Sequence, residues 1–287
     1  MRWVLAGLIA TISLTIWSKP ANRVVGDAVP FGEINEKFID ESSGIAQGRV
    51  TPNTYYTHND SGDTARFFRF NAQRKLTGTF SLKGAGAIDW EDMASAKIGG
   101  KSYLYFGDIG DNAEKRKYVT VYRVQEPTGE SRELDKFDRY VLTYPDGPHN
   151  AETLMVHPTT GDIYIVTKTS KAPSKVFKLK NPSKSSDYEM TLIGEVDVPI
   201  LMSAGKLITG GAISPDGKFV ALRTYLLAYE YPVKGKFDDW MKSSPTSIRT
   251  IFDDQNESIC YTIDGRNLLS SSEGSPCKIQ RIPIQYK

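Results

Sequence analysis

Four glutamates recur at the head of similar stretches of the chain, in Glu41-Ser-Ser-Gly-Ile-Ala, Glu91-Asp-Met-Ala, Glu152-Thr-Leu-Met-Val and Glu257-Ser-Ile-Cys-Tyr. A second polar set follows them at similar distances: His58-Asn-Asp-Ser-Gly-Asp, Gly107-Asp-Ile-Gly-Asp-Asn, Thr167-Lys-Thr-Ser, Arg223-Thr-Tyr and Ser271-Ser-Glu-Gly. Carboxylates brought to one point repel one another and raise each other's pKa unless a positive charge lies between them. A cation is the simplest remedy. Oxygen donors, with no cysteine pair and no closely spaced histidine pair, favour a hard ion such as Ca²⁺ over zinc or copper. The expected ligands are Glu41, Glu91, Glu152 and Glu257, with Asn59 and Asp108 from the second set. Each acid taken singly has another use, as an acceptor of backbone N–H groups at a strand start or as a partner of Arg66, Arg116, Lys168 or Arg223.

His58 and His149 fall among these polar runs, and beside a metal-bound water either would serve as a general base. Asp111 joins them as a candidate catalytic residue. Hydrogen-bonded packing is the competing role for both histidines, and His157 reads as a turn residue. Ligand contacts are expected from Asp60, Asp63, Arg66, Asp89, Trp90, Asn112, Arg116, Asn150, Lys168, Arg223 and Glu273, although Trp90 suits packing between units equally well. The Asp/Gly-rich runs at 59–63 and 108–112 lack the twelve-residue spacing and final glutamate of an EF-hand, and read as tight turns. No nucleophile elbow, phosphate loop or dinucleotide fingerprint occurs.

The elements that must position these side chains are strands. Turns at Thr51-Pro52-Asn53, Gly99-Gly100, Pro158-Thr159-Thr160-Gly161, Pro215-Asp216-Gly217 and Asp264-Gly265 divide five copies of a unit. β-rich runs follow each turn, for example Tyr103-Leu-Tyr-Phe and Ile163-Tyr-Ile-Val-Thr, and then come third and fourth runs. The third runs alternate in polarity, as in Val119-Thr-Val-Tyr-Arg-Val, which suits a sheet with one better-buried face. The fifth copy lacks a fourth strand, and the alternating segment at 24–34 is placed to supply it and close a ring. Four-stranded units of this length predict an all-β chain folded as a single β-propeller of five blades, with six as the alternative. The charged segment 125–138 reads as an extended loop of the second blade, not as a boundary. In a blade the first strand leaves one face along the central channel and the second returns to that face, which is why the two polar sets should meet there. Thr209 stands where the fourth unit should carry an acid, so coordination would be asymmetric.

The 287 residues are 39% hydrophobic, enough for a substantial core in one domain at 22–287. Thirty-six basic against 34 acidic residues, with no basic block, argue against a nucleic-acid partner. Residues 1–21 combine Met1-Arg2 with a short apolar run at 3–17 and read as a signal peptide, or as an uncleaved N-terminal anchor. That places the protein outside the cytoplasm, in a periplasmic or extracellular setting, as a monomer with no other membrane contact. There, Cys260 and Cys277 would form a disulfide worth about 3 kcal/mol by the chain-entropy argument. The alternative is two separate buried thiols.

The runs Glu41 to Ala46, His58 to Asp63, Asp89 to Asp92, Gly107 to Asn112 and His149 to Glu152 resemble those of a group of exported bacterial propeller proteins. The likeness spans most of the mature chain and implies the fold without implying an activity. More distantly the chain is similar to esterase-like phytase propellers, and in plan to the calcium-dependent gluconolactonase and paraoxonase propellers. Those have six blades and hold a channel-bound calcium with Glu, Asn and Asp side chains. The resulting expectation is an exported propeller that holds a divalent cation, calcium above all, at one end of its channel and binds a small anionic or sugar-like ligand. The alternatives are a metal-dependent hydrolase of a lactone, ester or phosphoester, and a protein-interaction scaffold.

Overall fold

The computed structural model describes residues 23–286 apart from Ala172 and Asp254, so the expected signal segment lies outside the described residues. Five antiparallel sheets follow one another along the chain as the blades of a β-propeller. Blade one is Ser42–Gln47, Thr54–Asn59, Arg66–Asn71 and Leu76–Leu82, numbered from the axis outward. Blade two is Trp90–Ile98, Lys101–Asp108, Val119–Gln125 and Phe137–Thr143, and blade three is Ala151–Val156, Ile163–Thr167, Ser174–Leu179 and Thr191–Val196. Blade four is Ile208–Ile213, Phe219–Thr224, Leu227–Pro232 and Thr246–Arg249. Blade five has Cys260–Tyr261, Asn267–Ser271 and Cys277–Tyr286, and its outer edge is completed by Arg23–Val25 and Val29–Ile34 from the start of the described chain. The expected ring closure is therefore present, and the blade number is five.

The core is divided into five apolar clusters, one in each seam between neighbouring blades. Phe67 and Phe80 of blade one meet Trp90 and Phe106 of blade two, and Tyr164 of blade three meets Tyr229 and Tyr231 of blade four. Because every blade is covered on both sides, strands such as Thr54–Asn59 and Ile163–Thr167 are buried along their whole length. The polarity alternation expected of a half-buried sheet belongs to the outermost strands, such as Leu76–Leu82, which alternate between buried and accessible residues.

The segment at 125–138 is a loop of blade two, as expected, but it also crosses to its neighbour. Within it Arg132–Leu134 adds a parallel strand to the outer edge of blade one. Ser186–Glu189 of blade three does the same to blade two. In blade four the equivalent connection forms the 3₁₀ turn Phe237–Lys242, whose Trp240 sinks into the blade three seam and whose Asp238 accepts a hydrogen bond from Tyr164 at 2.8 Å. Each of these connections covers an edge that would otherwise offer unpaired backbone groups.

The expected disulfide is absent: Cys260 and Cys277 are both buried free thiols. Cys260 is opposite Leu269, and Leu269 is opposite Arg281, so a whole strand lies between the two cysteines and Cys277 is offset along its own strand as well. Two strand spacings of about 4.8 Å already exceed the Cα separation of about 5.5–6 Å that a disulfide spans.

One ion pair ties the closing edge of blade five to blade four. Arg23 lies 3.8 Å over the ring of Phe219, and its guanidinium forks onto the carboxylate of Glu230, which also accepts the Tyr261 hydroxyl at 2.6 Å. Both charged groups are nearly buried. Removing one partner of such a pair leaves the other charge uncompensated, so Arg23→Ala should lower the unfolding free energy in urea by about 3 kcal/mol. Adding Glu230→Gln should recover part of that loss. Equal destabilisation of the single and double variants would show that the ion pair does not hold the seam.

Candidate functional site

Each inner strand begins with a break in register. In blade two Trp90 pairs with Asp108 but Asp92 with Gly107, which leaves Glu91 as an extra residue with no cross-strand partner. The same shift isolates Ser43 in blade one, Glu152 in blade three and Thr209 in blade four. In blade five it falls between the Asn256–Ser272 bridge and the Cys260–Leu269 pair, where Glu257 lies. A β-bulge of this kind re-aims the side chain it frees. It also corrects the expected alignment, because Glu41 stands two residues ahead of the bulge and is exposed. The equivalent set is Ser43, Glu91, Glu152, Thr209 and Glu257. The two hydroxyl members stitch blades together: Ser43 donates to the Glu91 carbonyl at 2.6 Å, and Thr209 to the Asn256 carbonyl at 2.9 Å. The three acids are left to fill the mouth of the channel.

Two further carboxylates join Glu91. Asp60 comes from the loop after the second strand of blade one, and Asp89 from the loop entering blade two. Carboxylate oxygens of Asp60, Asp89 and Glu91 lie within 4.8 Å of one another. Asp89 is fixed by its backbone: its N–H donates to Asp108 at 3.0 Å, and its carbonyl accepts the N–H groups of Ile109 and Gly110. Gly110 lies so close that a Cβ there would collide with the carboxylates of both Glu91 and Asp89. Across the channel Glu152 is paired with Lys168, whose Nζ also reaches the Tyr225 hydroxyl at 2.7 Å, and the second oxygen of Glu152 is buried without a partner.

Burial and mutual repulsion push these acids upward. Burial first, then the charges of Glu152, Asp60 and Asp89, hold Glu91 well above the ordinary carboxylate range. Asp60 is pushed up to about 6, mainly by burial. Glu152 reaches about 7 despite Lys168, Glu273 about 7, and Glu257 about 9, again with burial as the main cause and neighbouring carboxylates adding to it. Burial works against the charge of Lys168, yet Glu152 and Tyr225 keep its pKa raised.

The second polar set mostly builds the frame of the mouth. Asp108 forms an ion pair with Arg116 at 2.9 Å, and Asp63 one with Arg66 at 2.7 Å. Asp111 accepts the Arg116 N–H at 2.7 Å while its own N–H donates to Asn150, and Asn150 in turn donates to Asn112. Asp111 thus braces the loop. Asn59 donates to the Phe38 carbonyl and to Asp63, leaving its Oδ1 buried without a partner. Arg223 is fully buried, bonded to Thr250 at 2.7 Å, and lowered to about 9 by burial against the opposing charge of Glu257. Glu273 is half-buried at the blade five side.

Neither histidine meets the expectation of a general base at the mouth. His58 is wholly buried beneath it, edge-on to Trp90 and Phe106 with Nδ1 2.8 Å from the Asn59 carbonyl, and burial lowers its pKa to about 4. His149 packs on Tyr144 and Phe177 and bonds Asp146 at 2.9 Å, away from the carboxylates. Trp90 is buried in the seam, stacked on Phe106 with its indole N–H on the Gly86 carbonyl, so it packs blades together and offers no face to a ligand.

Sequence reasoning passed over Asp92. This fully buried carboxylate accepts backbone N–H groups from Met93 at 2.8 Å, Leu154 at 2.9 Å and Gly211 at 3.3 Å, tying the inner strands of blades two, three and four. The available signal was an aspartate inside a strand, where it is disfavoured. Further along the inner strands the channel holds a cavity of about 40 Å³, lined by Ile45, Met93, Met155 and Ile259 together with Gln47, Arg49 and Ser95.

No protein-family model and no curated protein matches the chain. Among solved structures it is similar to the WD40 repeats of RRP9, with a TM-score of 0.42 and 12% identity, covering 85% of this chain and 67% of that one. It is similar to U3-55K as well, with a TM-score of 0.41 and 11% identity, covering 84% and 67%.

The raised carboxylates carry a sign for stability. From an ordinary carboxylate pKa upward the folded protein binds more protons than the unfolded chain, so stability falls with pH, up to about 7 through Glu152 and Glu273 and on to about 9 through Glu257. His58 acts in the opposite direction, gaining stability as pH rises from about 4 to 6.5, so it offsets the lower part of that fall and adds nothing above pH 7. In chelator, the urea midpoint should therefore fall between pH 7 and 9, and Glu257→Gln should flatten the fall. A midpoint that rises or stays level over that interval in the unsubstituted protein would refute it.

Proposed function

We propose that this chain is a cation-dependent binding propeller, with Asp60, Asp89 and Glu91 holding a divalent ion at the channel mouth. One observation carries this reading. Asp63, Asp108 and Glu152, acids of the same face, are each paired with an arginine or lysine, whereas among the described residues Asp60, Asp89 and Glu91 have no such pair although their oxygens crowd together. All-oxygen donors suit Ca²⁺. The partnerless oxygens of Glu152 and Asn59 and the cradle kept open by Gly110 fit an ion as well. When bound, the ion would supply positive charge that relieves the repulsion and an open coordination position for an anionic oxygen of a ligand.

The chain's own residues would do the rest. Lys168, held by Glu152 and Tyr225, offers a fixed ammonium beside the acids, and the Tyr225 hydroxyl offers a polar contact for a small anionic or sugar-like ligand. Binding is favoured over hydrolysis because neither His58 nor His149 reaches the mouth to move a proton. The apolar run at 3–17 supports export, where calcium is abundant enough for a site of modest affinity.

Chelator-treated protein titrated with calcium chloride should melt at a higher temperature, by the equivalent of about 2.7 kcal/mol at a hundredfold excess over Kd. Binding should release protons to the buffer, because the ligands must ionise. Asp60→Asn with Glu91→Gln should abolish both effects while raising the stability of the ion-free protein. No calcium-dependent shift at millimolar concentration would end this reading.

A further inference from the structure

The large apolar side chains that the fold leaves in water are concentrated on the face that carries the acidic mouth. Leu201 is 100% exposed, Phe252 68%, and Ile88 and Met202 62% each. They lie on the loops that enter the inner strands of blades two, four and five; Phe38, on the loop entering blade one, and Tyr118, after the second strand of blade two, add to the ring. On the opposite face, among the described residues, Tyr286, Val50, Val24, Leu192 and Ile263 are exposed as well, each less so than Ile88, Leu201, Met202 and Phe252. No seam cluster includes Ile88, Leu201, Met202 or Phe252, so packing does not account for these four. Exposed apolar groups gathered on one face mark an interaction surface.

What they surround decides the partner. Glu41, Glu257 and Glu273 lie on the blade one and blade five side of the mouth, where Glu273 feels the charges of Asp60, Glu41 and Glu152 each more strongly than that of Lys168. We propose that this face docks a protein partner that inserts one arginine or lysine side chain into the mouth beside Glu257 and Glu273 and lays flanking apolar side chains on Phe38, Ile88, Leu201 and Phe252. A charged anchor enclosed by an apolar ring that excludes water is the arrangement in which such a contact contributes most. Anionic lipid headgroups and nucleic acid would meet repulsion at this centre. A second copy docked face to face would set one acidic mouth against another. The proposal stands apart from the cation reading, since the glutamates and the ring are not among the ligands assigned to the ion.

The test is a display library of short random peptides with a fixed central arginine, panned on the full chain beside matched libraries with central glutamine or glutamate. Enriched peptides are then titrated against the unsubstituted protein, the pair Leu201→Ser with Phe252→Ser, and Glu273→Gln. Arginine-centred peptides with apolar flanks should enrich, and each variant should bind them about tenfold more weakly, in calcium and in chelator alike. Unchanged melting temperatures would show that the surface substitutions leave the fold intact. Equal enrichment of glutamine-centred peptides, or full affinity in the variants, would overturn the proposal. So would loss in the serine pair of binding to phosphatidylserine vesicles, or of self-association in sedimentation, in place of peptide binding.

Discussion

One extra residue at the head of each inner strand governs what this propeller presents at its channel mouth. A strand in perfect register would turn its side chains alternately into the two neighbouring seams, where apolar groups predominate. The bulge frees one side chain per blade from that alternation. Whatever occupies the freed position must then find a partner near the axis. Serine and threonine find one in the next blade's backbone, which closes two of the five gaps. Glutamate is too long and too charged for that, and three of them crowd into the opening.

The resulting electrostatic tension is confined, and the rest of the structure shows how. Below the mouth, Asp92 is as deeply buried as any acid among the described residues, yet three backbone N–H groups from three blades hold it. Around the mouth, Arg66 and Arg116 form their ion pairs with the loop aspartates and brace the rim, although the charge of Arg116 also reaches Asp89. Lys168 serves Glu152. Asp60, Asp89 and Glu91 are left with raised pKa values, chiefly through burial, and without an ion pair of their own. The ion pairs thus belong to the frame, while Asp60, Asp89 and Glu91 have none among the described residues.

The polar face as a whole was legible along the chain. Glycine- and aspartate-rich turns at regular spacing dictate hairpins, and hairpins around an axis bring strand starts beside second-strand ends, so Asp60, Asp89, Glu91, Glu152 and Lys168 meet as expected. The position of Glu41 was not legible, because a bulge shifts the register by one residue and a repeat aligned on residue type follows the glutamate and not the backbone. His58 misled for a related reason. It sits in a polar run, but the alternation of its strand turns it into the seam against Trp90 and Phe106. The cysteines are close in the blade and yet unable to meet, because strand order places a whole strand between them.

What the amino-acid sequence determined by itself was everything that depends on local chemistry: the turns, the strands, their repetition five times, and the lack of a fourth strand in the last unit that the first residues of the ring make good. Tertiary structure alone decided which polar side chains face the axis, which pair with arginine or lysine, and which are left uncompensated. Those outcomes depend on register and on contacts between blades far apart in the chain. A change of one residue in pairing moves a side chain from the seam to the mouth, and no local preference specifies that change.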